Sequence, residues 1–114
     1  TESLFENRSD GFLAQFTPGG SDDAHADLIV FGHTHVPFHR TVNGVHFVNS
    51  GSVGRPKDGD SRAGYVVVTL ASGSVEMRVV RLEYDVESAC RSLVGVGLPE
   101  YFAEYLRYGG VIPQ

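Results

Sequence analysis

The amino-acid sequence predicts a single α/β domain, residues 1–114, and three observations carry that prediction. A short apolar, β-branched run at Leu28–Phe31 is typical of a strand, and a strong hairpin signal follows it at Asn43-Gly44. Two segments after residue 85 place apolar side chains at helical spacing. With 114 residues, 14 glycines and no tryptophan, the chain has the size of one domain and a turn-rich α/β or β composition.

Composition and charge exclude several classes of protein. Hydrophobic residues make up 41% and charged residues 20%, which is the composition of a globular domain rather than a disordered chain. No apolar run approaches the ~20 residues of a membrane span, so we expect no membrane partner. Nine basic against fourteen acidic residues give a net charge of −5, which argues against non-specific nucleic-acid binding. The single cysteine, Cys90, fits a reducing compartment, and we expect a cytoplasmic protein.

The first predicted element is a short helix near the N-terminus. Asp10 is a suitable cap, and Phe12, Leu13 and Phe16 would lie on one side of the helix. The segment 17–20, Thr-Pro-Gly-Gly, would end it.

A strand and a hairpin follow. The wholly apolar run Leu28–Phe31 predicts a strand that is buried on both faces. Residues 38–49 predict a hairpin, because a type I′ turn needs positive φ at both central residues and Asn43-Gly44 is well suited to it. A two-residue loop then sets the cross-strand pairs Val42–Val45, Thr41–His46 and Arg40–Phe47.

The middle of the chain predicts a long loop and two strands. Residues 50–62 form a thirteen-residue loop, a length that is usually functional or mobile in a compact domain. Residues 64–70 and 75–84 predict paired strands, and the alternation slips at residues 80–82, which suggests a β-bulge.

Two helices close the chain. Asp85 is a suitable cap for the first, and Gly95 is placed to end it. Its apolar face comprises Val86, Ala89, Cys90, Leu93 and Val94. This position predicts a core role for Cys90 rather than a nucleophile. In the second helix Pro99 suits the first helical position, and Gly109-Gly110 stops it. The predicted apolar stripe comprises Tyr101, Phe102, Tyr105 and Leu106.

His33 and His35 are the sharpest chemical signal. They follow the predicted strand directly after Gly32, and imidazole is a common ligand for Zn, Mn, Fe and Ni at neutral pH. Rings at a strand-to-loop transition can diverge toward two metal ions; the alternative is that both histidines occupy an ordinary polar turn. Two ligands are too few for a catalytic site. The remaining histidines, His25, His39 and His46, are isolated in the sequence, so the site is either completed elsewhere or absent.

A second signal is the small-residue loop Asn49, Ser50, Gly51, Ser52. Such residues after a strand can present backbone N–H groups and two hydroxyls to an anion, or they can form a plain Gly/Ser turn. The loop continues with three basic residues that can meet phosphate, remain solvated or pair with nearby aspartates. These residues are Arg55, Lys57 and Arg62, and the aspartates are Asp58 and Asp60.

Together these segments resemble the C-terminal half of a calcineurin-like metallophosphoesterase, in particular its small bacterial phosphodiesterase branch. The resemblance is carried by residues 26–35 (ADLIVFGHTH), the hairpin, and residues 48–54 (VNSGSVG). Residues 55–60 and 62–65 fit the same branch, and the resemblance spans roughly residues 4–106. The fold it implies is a four-layer α-β-β-α sandwich.

The resemblance implies a metal-dependent phosphoesterase that hydrolyses a small phosphodiester or phosphomonoester substrate. Two divalent metal ions are implied, with Mn favoured and Ni, Zn or Fe as options. By this resemblance His33 would bind the second ion and His35 the first. The loop Asn49, Ser50, Gly51, Ser52 would lie beside the phosphate. The alternative is a non-catalytic protein-binding scaffold of the same fold, like the retromer subunit that is related to these enzymes.

The earlier motifs of that family are absent from these residues. They are Asp-x-His, Gly-Asp-x-x-Asp, Gly-Asn-His and a further histidine before a glycine, and they would lie upstream of Thr1. We therefore expect the chain to carry about half of an enzyme and to need the N-terminal half as its partner. No catalytic residue is identified in this portion. Alone, we expect it to bind metal weakly, not to turn over, and to associate or form a homo-oligomer through an exposed edge. A stable fragment without its own function is the remaining alternative.

Overall fold

The computed structural model of the chain describes residues 9–15 and 26–113. Within them, helices and strands occur in the order α1 (Asp10–Ala14), β1 (Leu28–Phe31), β2 (Phe38–Val42), β3 (Val45–Asn49), β4 (Ala63–Ala71), β5 (Ser74–Leu82), α2 (Val86–Gly95) and α3 (Glu100–Arg107). This mixture confirms the predicted α/β class. Phe16 and the predicted helix stop at 17–20 lie outside the described residues. None of the described helices has both the length and the apolar character needed to cross a bilayer.

The strands form two sheets. In the first, β3 is central, with β1 parallel to it on one side and β2 antiparallel on the other. In the second, β4 and β5 form an antiparallel ribbon. Because β1 and β3 run parallel, their carboxyl ends meet at one edge of the first sheet, and both predicted site segments begin there.

Helix α1 begins one residue earlier than the sequence predicts. Its cap is Ser9, whose hydroxyl oxygen accepts the Phe12 N–H at 3.1 Å, so the prediction of Asp10 as the cap is wrong. Asp10 instead lies in the first turn, where a negative charge is favoured by the helix dipole, and it pairs with Arg40 of β2. Leu13 is fully buried against the hairpin.

Strand β1 has the predicted bounds but not the predicted burial. Ile29 and Phe31 pack against the core under α1, whereas Val30 points to the opposite face and is 55% exposed. The prediction of burial on both faces is therefore wrong. A wholly apolar run does not show which layers cover it, and α1 covers only one face.

The β2–β3 hairpin confirms the prediction in full. Its cross-strand pairs include Val42 with Val45 and Thr41 with His46, as a two-residue loop requires. Asn43 and Gly44 have φ of 50° and 77°, which is the geometry of a type I′ turn.

The β4–β5 ribbon contains no bulge, so that prediction is wrong. Pairing runs in one unbroken register from Ala63–Leu82 to Ala71–Ser74. The alternation of apolar residues is interrupted at position 81 because an arginine, rather than an apolar residue, occupies the half-buried face of β5 there. Arg81 is tolerated there because Asp58 and Asp60 of the preceding loop neutralise its guanidinium.

Helices α2 and α3 pack against each other through two small residues. Cys90 is buried, and its thiol donates to the Ala103 carbonyl at 3.3 Å. Burial raises the pKa of the Cys90 thiol, which agrees with the predicted core role. The predicted α3 stripe is wrong for Tyr101 and Phe102, which are exposed, because the residue that lets α3 approach α2 is Ala103.

The left-handed glycine that follows α2 lies two residues later than the sequence predicts, whereas α3 ends as predicted. Asp85 caps α2 as predicted, but Gly95 is the last helical residue, and the left-handed residue that terminates the helix is Gly97, with φ of 92°. The N–H groups of Gly97 and Leu98 donate to the carbonyls of Val94 and Leu93, which is the Schellman motif. Pro99 is the N-cap of α3 rather than its first helical residue, and Gly109-Gly110 ends α3 as predicted.

The two glycines of α2 should respond oppositely to the same substitution. Gly95→Ala should raise the free energy of unfolding by about 0.5–1 kcal/mol, because Gly95 lies inside the helix and an added Cβ meets no atom within 4 Å. Gly97→Ala should lower it by about 1 kcal/mol, because alanine is strained at positive φ. Urea unfolding measures both. A gain at Gly97 or a loss at Gly95 would refute the revised helix end.

Candidate functional site

A strained turn carries the two candidate ligands. His33 and His35 have φ of 78° and 66°, a region that costs a non-glycine residue roughly 1–2 kcal/mol. Among the described residues one further non-glycine has positive φ, the hairpin-turn Asn43. Strain of this kind persists where the side chain is needed and the surroundings hold the backbone. The geometry therefore marks the histidine turn as a functional candidate.

A buried hydrogen bond joins this turn to the small-residue loop. Asn49, the last residue of β3, is fully buried, and its amide nitrogen donates to the hydroxyl of Thr34 at 2.7 Å. Thr34 lies between the two histidines and is itself buried. The Asn49 amide oxygen accepts the Gly51 N–H at 2.9 Å. One side chain thus fixes the turn after β1 and the loop after β3 relative to each other.

The loop directs most of its donors into the protein. The Ser50 N–H donates to the Phe31 carbonyl at 2.9 Å, and the Ser50 hydroxyl reaches the same oxygen at 3.4 Å. The Ser52 hydroxyl accepts the Arg55 N–H at 3.0 Å and retains its own proton for donation. The loop therefore braces the strand ends, and the Ser52 hydroxyl is one donor that it can still offer to a ligand.

The ring of His35 is held in the form that binds metal. Its Nδ1 lies 2.7 Å from the backbone carbonyl of Arg55. A carbonyl only accepts hydrogen bonds, so Nδ1 carries a hydrogen, and in the neutral ring this leaves the lone pair on Nε2. Metal-bound histidines are commonly oriented in this way by a carbonyl behind the ring. The Lys57 N–H donates to the His35 carbonyl at 3.2 Å and fixes the backbone as well. The donor chemistry of His35 therefore fits a divalent metal ion.

The structure brings His35 and the loop together in one cleft. It has a volume of about 10 Å³, room for a single water-sized group. Its lining includes His35, Ser50, Gly51, Ser52, Tyr65 and Arg81. His33 does not line it and is exposed at the same turn. Tyr65 and Arg81 come from the ribbon, and no sequence signal placed them near the histidines.

A larger cavity lies away from this cleft. It has a volume of about 480 Å³ and is formed by the starts of β1 and β3 together with the β4–β5 turn. The cavity is at the N-terminal ends of β1 and β3, whereas the histidine turn follows the C-terminal end of β1. The cavity therefore lies at the opposite end of the first sheet. None of the predicted site residues lines it. The chemistry of the donors, rather than cavity size, identifies the candidate site.

Two other histidines are paired, although the sequence suggested that they were isolated. His39 Nε2 lies 2.9 Å from His46 Nδ1 across the β2–β3 hairpin, and the Thr41 hydroxyl is 3.1 Å from the same His46 nitrogen. The hairpin register alone places them diagonally on one face, so this pair was within reach of sequence reasoning. Among residues 9–15 and 26–113, no three or more His, Cys, Asp or Glu side chains gather as a metal site.

Two basic residues of the loop, Arg55 and Arg62, have side-chain partners, and so does Arg81 of β5. Nε and Nη2 of Arg62 donate to the Asp60 carboxylate at 2.8–3.2 Å. Arg81 pairs with Asp58. The hydrogen bonds from Arg62 lower the pKa of the Asp60 carboxyl to about 2. The guanidinium of Arg55 lies over the Tyr105 ring, 4.6 Å from its centroid. The ion-paired alternative is therefore confirmed for Arg62.

Glycine should relieve the strain of the histidine turn. His33→Gly should unfold with a free energy about 1 kcal/mol higher than His33→Ala, because glycine adopts φ of 78° without a Cβ penalty. At His39, within strand β2, the alanine variant should instead have the higher free energy of unfolding and the glycine variant the lower. Urea unfolding of the four variants tests this, and the same order at both positions would contradict the strain.

The Asp60–Arg62 pair should make stability depend on acid pH. The pKa of Asp60 is lowered to about 2, so its contribution is complete above the ordinary value near 4 and is lost as pH falls toward 2. The difference in unfolding free energy between the unmodified protein and Asp60→Asn should therefore shrink between pH 5 and pH 2. Glu76→Gln, on the ribbon, controls for net charge. A constant difference at Asp60 would be inconsistent with the pairing.

Comparison with known proteins gives a consistent answer. The family model of the calcineurin-like phosphoesterase superfamily domain matches residues 13–73, more than half of the chain. This segment contains the histidine turn, the hairpin and the small-residue loop. A relative in Methanocaldococcus jannaschii, the uncharacterized protein MJ0912, is 33% identical over 100 residues, which cover 75% of this chain and 40% of the relative. The chain thus spans about two fifths of the length of that relative.

Solved structures agree with the family match. The crystal structure of a metallophosphoesterase from Sphaerobacter thermophilus is similar to this chain with a TM-score of 0.64 and 27% identity, over 75% of this chain and 44% of that one. The hypothetical protein PH1004 from Pyrococcus horikoshii shares the fold, with a TM-score of 0.62 and 20% identity, over 76% of this chain and 33% of that one. The chain belongs to the calcineurin-like phosphoesterase superfamily.

Proposed function

We propose that the complete gene product containing this chain is a metal-dependent phosphoesterase, and that His33 and His35 are two of its metal ligands. The observation that carries the proposal is the His35 ring, whose Nδ1 is bound at 2.7 Å to the Arg55 carbonyl so that Nε2 is free. Its position in a strained turn inside the matched family segment supports the same reading. Histidine is a good ligand for Mn, Ni, Zn and Fe, and by family resemblance we propose two ions, with Mn favoured.

When bound, divalent ions would supply an activated water and charge stabilisation for the phosphoryl oxygens. The chain's own contribution is to orient the ligands. The Asn49–Thr34 hydrogen bond holds the turn between the two histidines, and the Arg55 carbonyl fixes the ring of His35. Ser50, Gly51 and Ser52 of the small-residue loop line the cleft together with His35, so we place the phosphate of a small phosphoester next to this loop. We propose the Ser52 hydroxyl as a donor to such a phosphate.

The remaining ligands must come from elsewhere in the protein. A catalytic ion normally takes three or more protein ligands, and the described residues bring no such group together. The chain also spans only 40% of the M. jannaschii relative. We propose that an N-terminal portion supplies the other ligands and the leaving-group acid. The free thiol of Cys90 fits a reducing compartment, so we propose that the protein works in the cytoplasm.

The test is hydrolysis of p-nitrophenyl phosphate and bis-p-nitrophenyl phosphate by the complete gene product with Mn²⁺. His33→Ala and His35→Ala should each lower the rate by at least about 100-fold, because each removes a ligand. His39→Ala, an exposed histidine on β2, should leave the rate unchanged. The two substrates together distinguish monoester from diester specificity.

Two results would overturn this proposal. Unchanged rates in both ligand variants would reject their roles in catalysis. Absence of metal from the purified protein, together with a tightly bound protein partner, would favour the non-catalytic scaffold instead. Metal content is measured by mass spectrometry of the untreated complete protein, so that added Mn²⁺ does not mask the outcome.

A further inference from the structure

We propose that α3 and the glycine turn that ends it position the ring of His35, acting through the backbone of residues 55–57. The proposal rests on the proposed role of His35 as a metal ligand. It assigns a positioning role to Tyr105 and Gly110, residues some seventy positions away in the sequence.

The first step is the pair of hydrogen bonds by which residues 55–57 hold His35. The Arg55 carbonyl accepts from Nδ1 of the ring at 2.7 Å, and the Lys57 N–H donates to the His35 carbonyl at 3.2 Å. Side chain and backbone are thus held from residues on either side of the buried Pro56. A shift of this short segment would move the acceptor that fixes both the tautomer and the direction of the ring.

The second step is a close approach of the C-terminal turn to the same segment. The Gly59 N–H donates to the Gly109 carbonyl at 3.0 Å. At Gly110 an added Cβ would lie 2.8 Å from the Lys57 Cα and 2.9 Å from the Pro56 carbonyl oxygen. Real Cβ atoms do not approach backbone this closely, so only glycine allows the turn to rest on the loop.

The third step is a contact from α3 to the residue that supplies the carbonyl. The Arg55 guanidinium lies over the ring of Tyr105, with 4.6 Å between its central carbon and the ring centroid. This is a cation–π geometry. The contact ties the Arg55 side chain to α3. The loop is therefore held by a side chain of α3, Tyr105, and by backbone contacts from the glycine turn that follows α3.

These contacts form one continuous path from α3 to Nε2 of His35. Tyr105 and Gly110 hold the loop, the loop carbonyl holds Nδ1, and Nδ1 leaves Nε2 free for a metal ion. Groups behind a histidine ligand typically change metal affinity 10–100-fold when they are disturbed. The structure thus assigns the C-terminal helix a part in metal binding, although none of its residues is a candidate ligand.

The test compares Gly110→Ala with Gly97→Ala in the complete gene product. Both glycines have positive φ, 82° and 92°, so both variants carry the same backbone strain, but the Cβ at Gly97 meets no atom within 4 Å. Calorimetric titration with Mn²⁺ should show about 10–100-fold weaker binding for Gly110→Ala and unchanged binding for Gly97→Ala. Long-range ¹H–¹⁵N spectra of the metal-free proteins should show His35 as the Nδ1–H tautomer in all except Gly110→Ala.

A second pair keeps the proposal testable if Gly110→Ala does not fold. Tyr105→Phe keeps the aromatic face and should bind Mn²⁺ like the unmodified protein, whereas Tyr105→Ala should bind it several-fold more weakly. Unchanged affinity in Tyr105→Ala, and in Gly110→Ala where that variant folds, with affinity lost in His35→Ala, would overturn the positioning role alone. Unchanged affinity in His35→Ala would instead overturn the proposed function. Equal losses in Gly110→Ala and Gly97→Ala would show a general effect of strain and refute the path.

Discussion

The candidate site depends on one buried side chain, Asn49. Its amide donates to Thr34 and accepts from Gly51, so the turn after β1 and the loop after β3 become a single unit. Asn49 has no exposed surface, and a buried amide that lost its partners would be costly. The geometry of the two histidines therefore follows from a satisfied polar group at the end of the central strand.

This arrangement explains how a strained turn can persist. His33 and His35 each occupy the left-handed region, where a non-glycine residue is disfavoured. Thr34 between them is anchored to Asn49, and the backbone of His35 is anchored to Lys57. Rigid contacts on both sides of the turn leave it few alternatives. The backbone strain at the two histidines costs free energy, and the hydrogen bonds around the turn offset that cost.

The limits of sequence reasoning are visible at particular residues. Asn43-Gly44 determined the hairpin and its register, because the turn type follows from two adjacent residues. The β-bulge predicted at residues 80–82 was wrong because Arg81 interrupts the apolar alternation. The groups that neutralise this arginine, Asp58 and Asp60, are more than twenty positions away in the sequence. Gly95 and Gly97 are both plausible helix ends in one dimension, and only the backbone conformation distinguishes them. In the site, the sequence identified His33 and His35 but gave no sign of the carbonyl behind the ring.

Local sequence was enough to predict the order of the elements, the hairpin register and the chemical identity of the candidate ligands, because each of these follows from neighbouring residues. Packing between distant segments sets which nitrogen of His35 bears the hydrogen, which loop donors are engaged, and the close approach of Gly110, in the turn after α3, to the loop. These depend on contacts between residues that are distant in the chain. Local propensity carries no information about such contacts, since they form only when the strands and helices have packed.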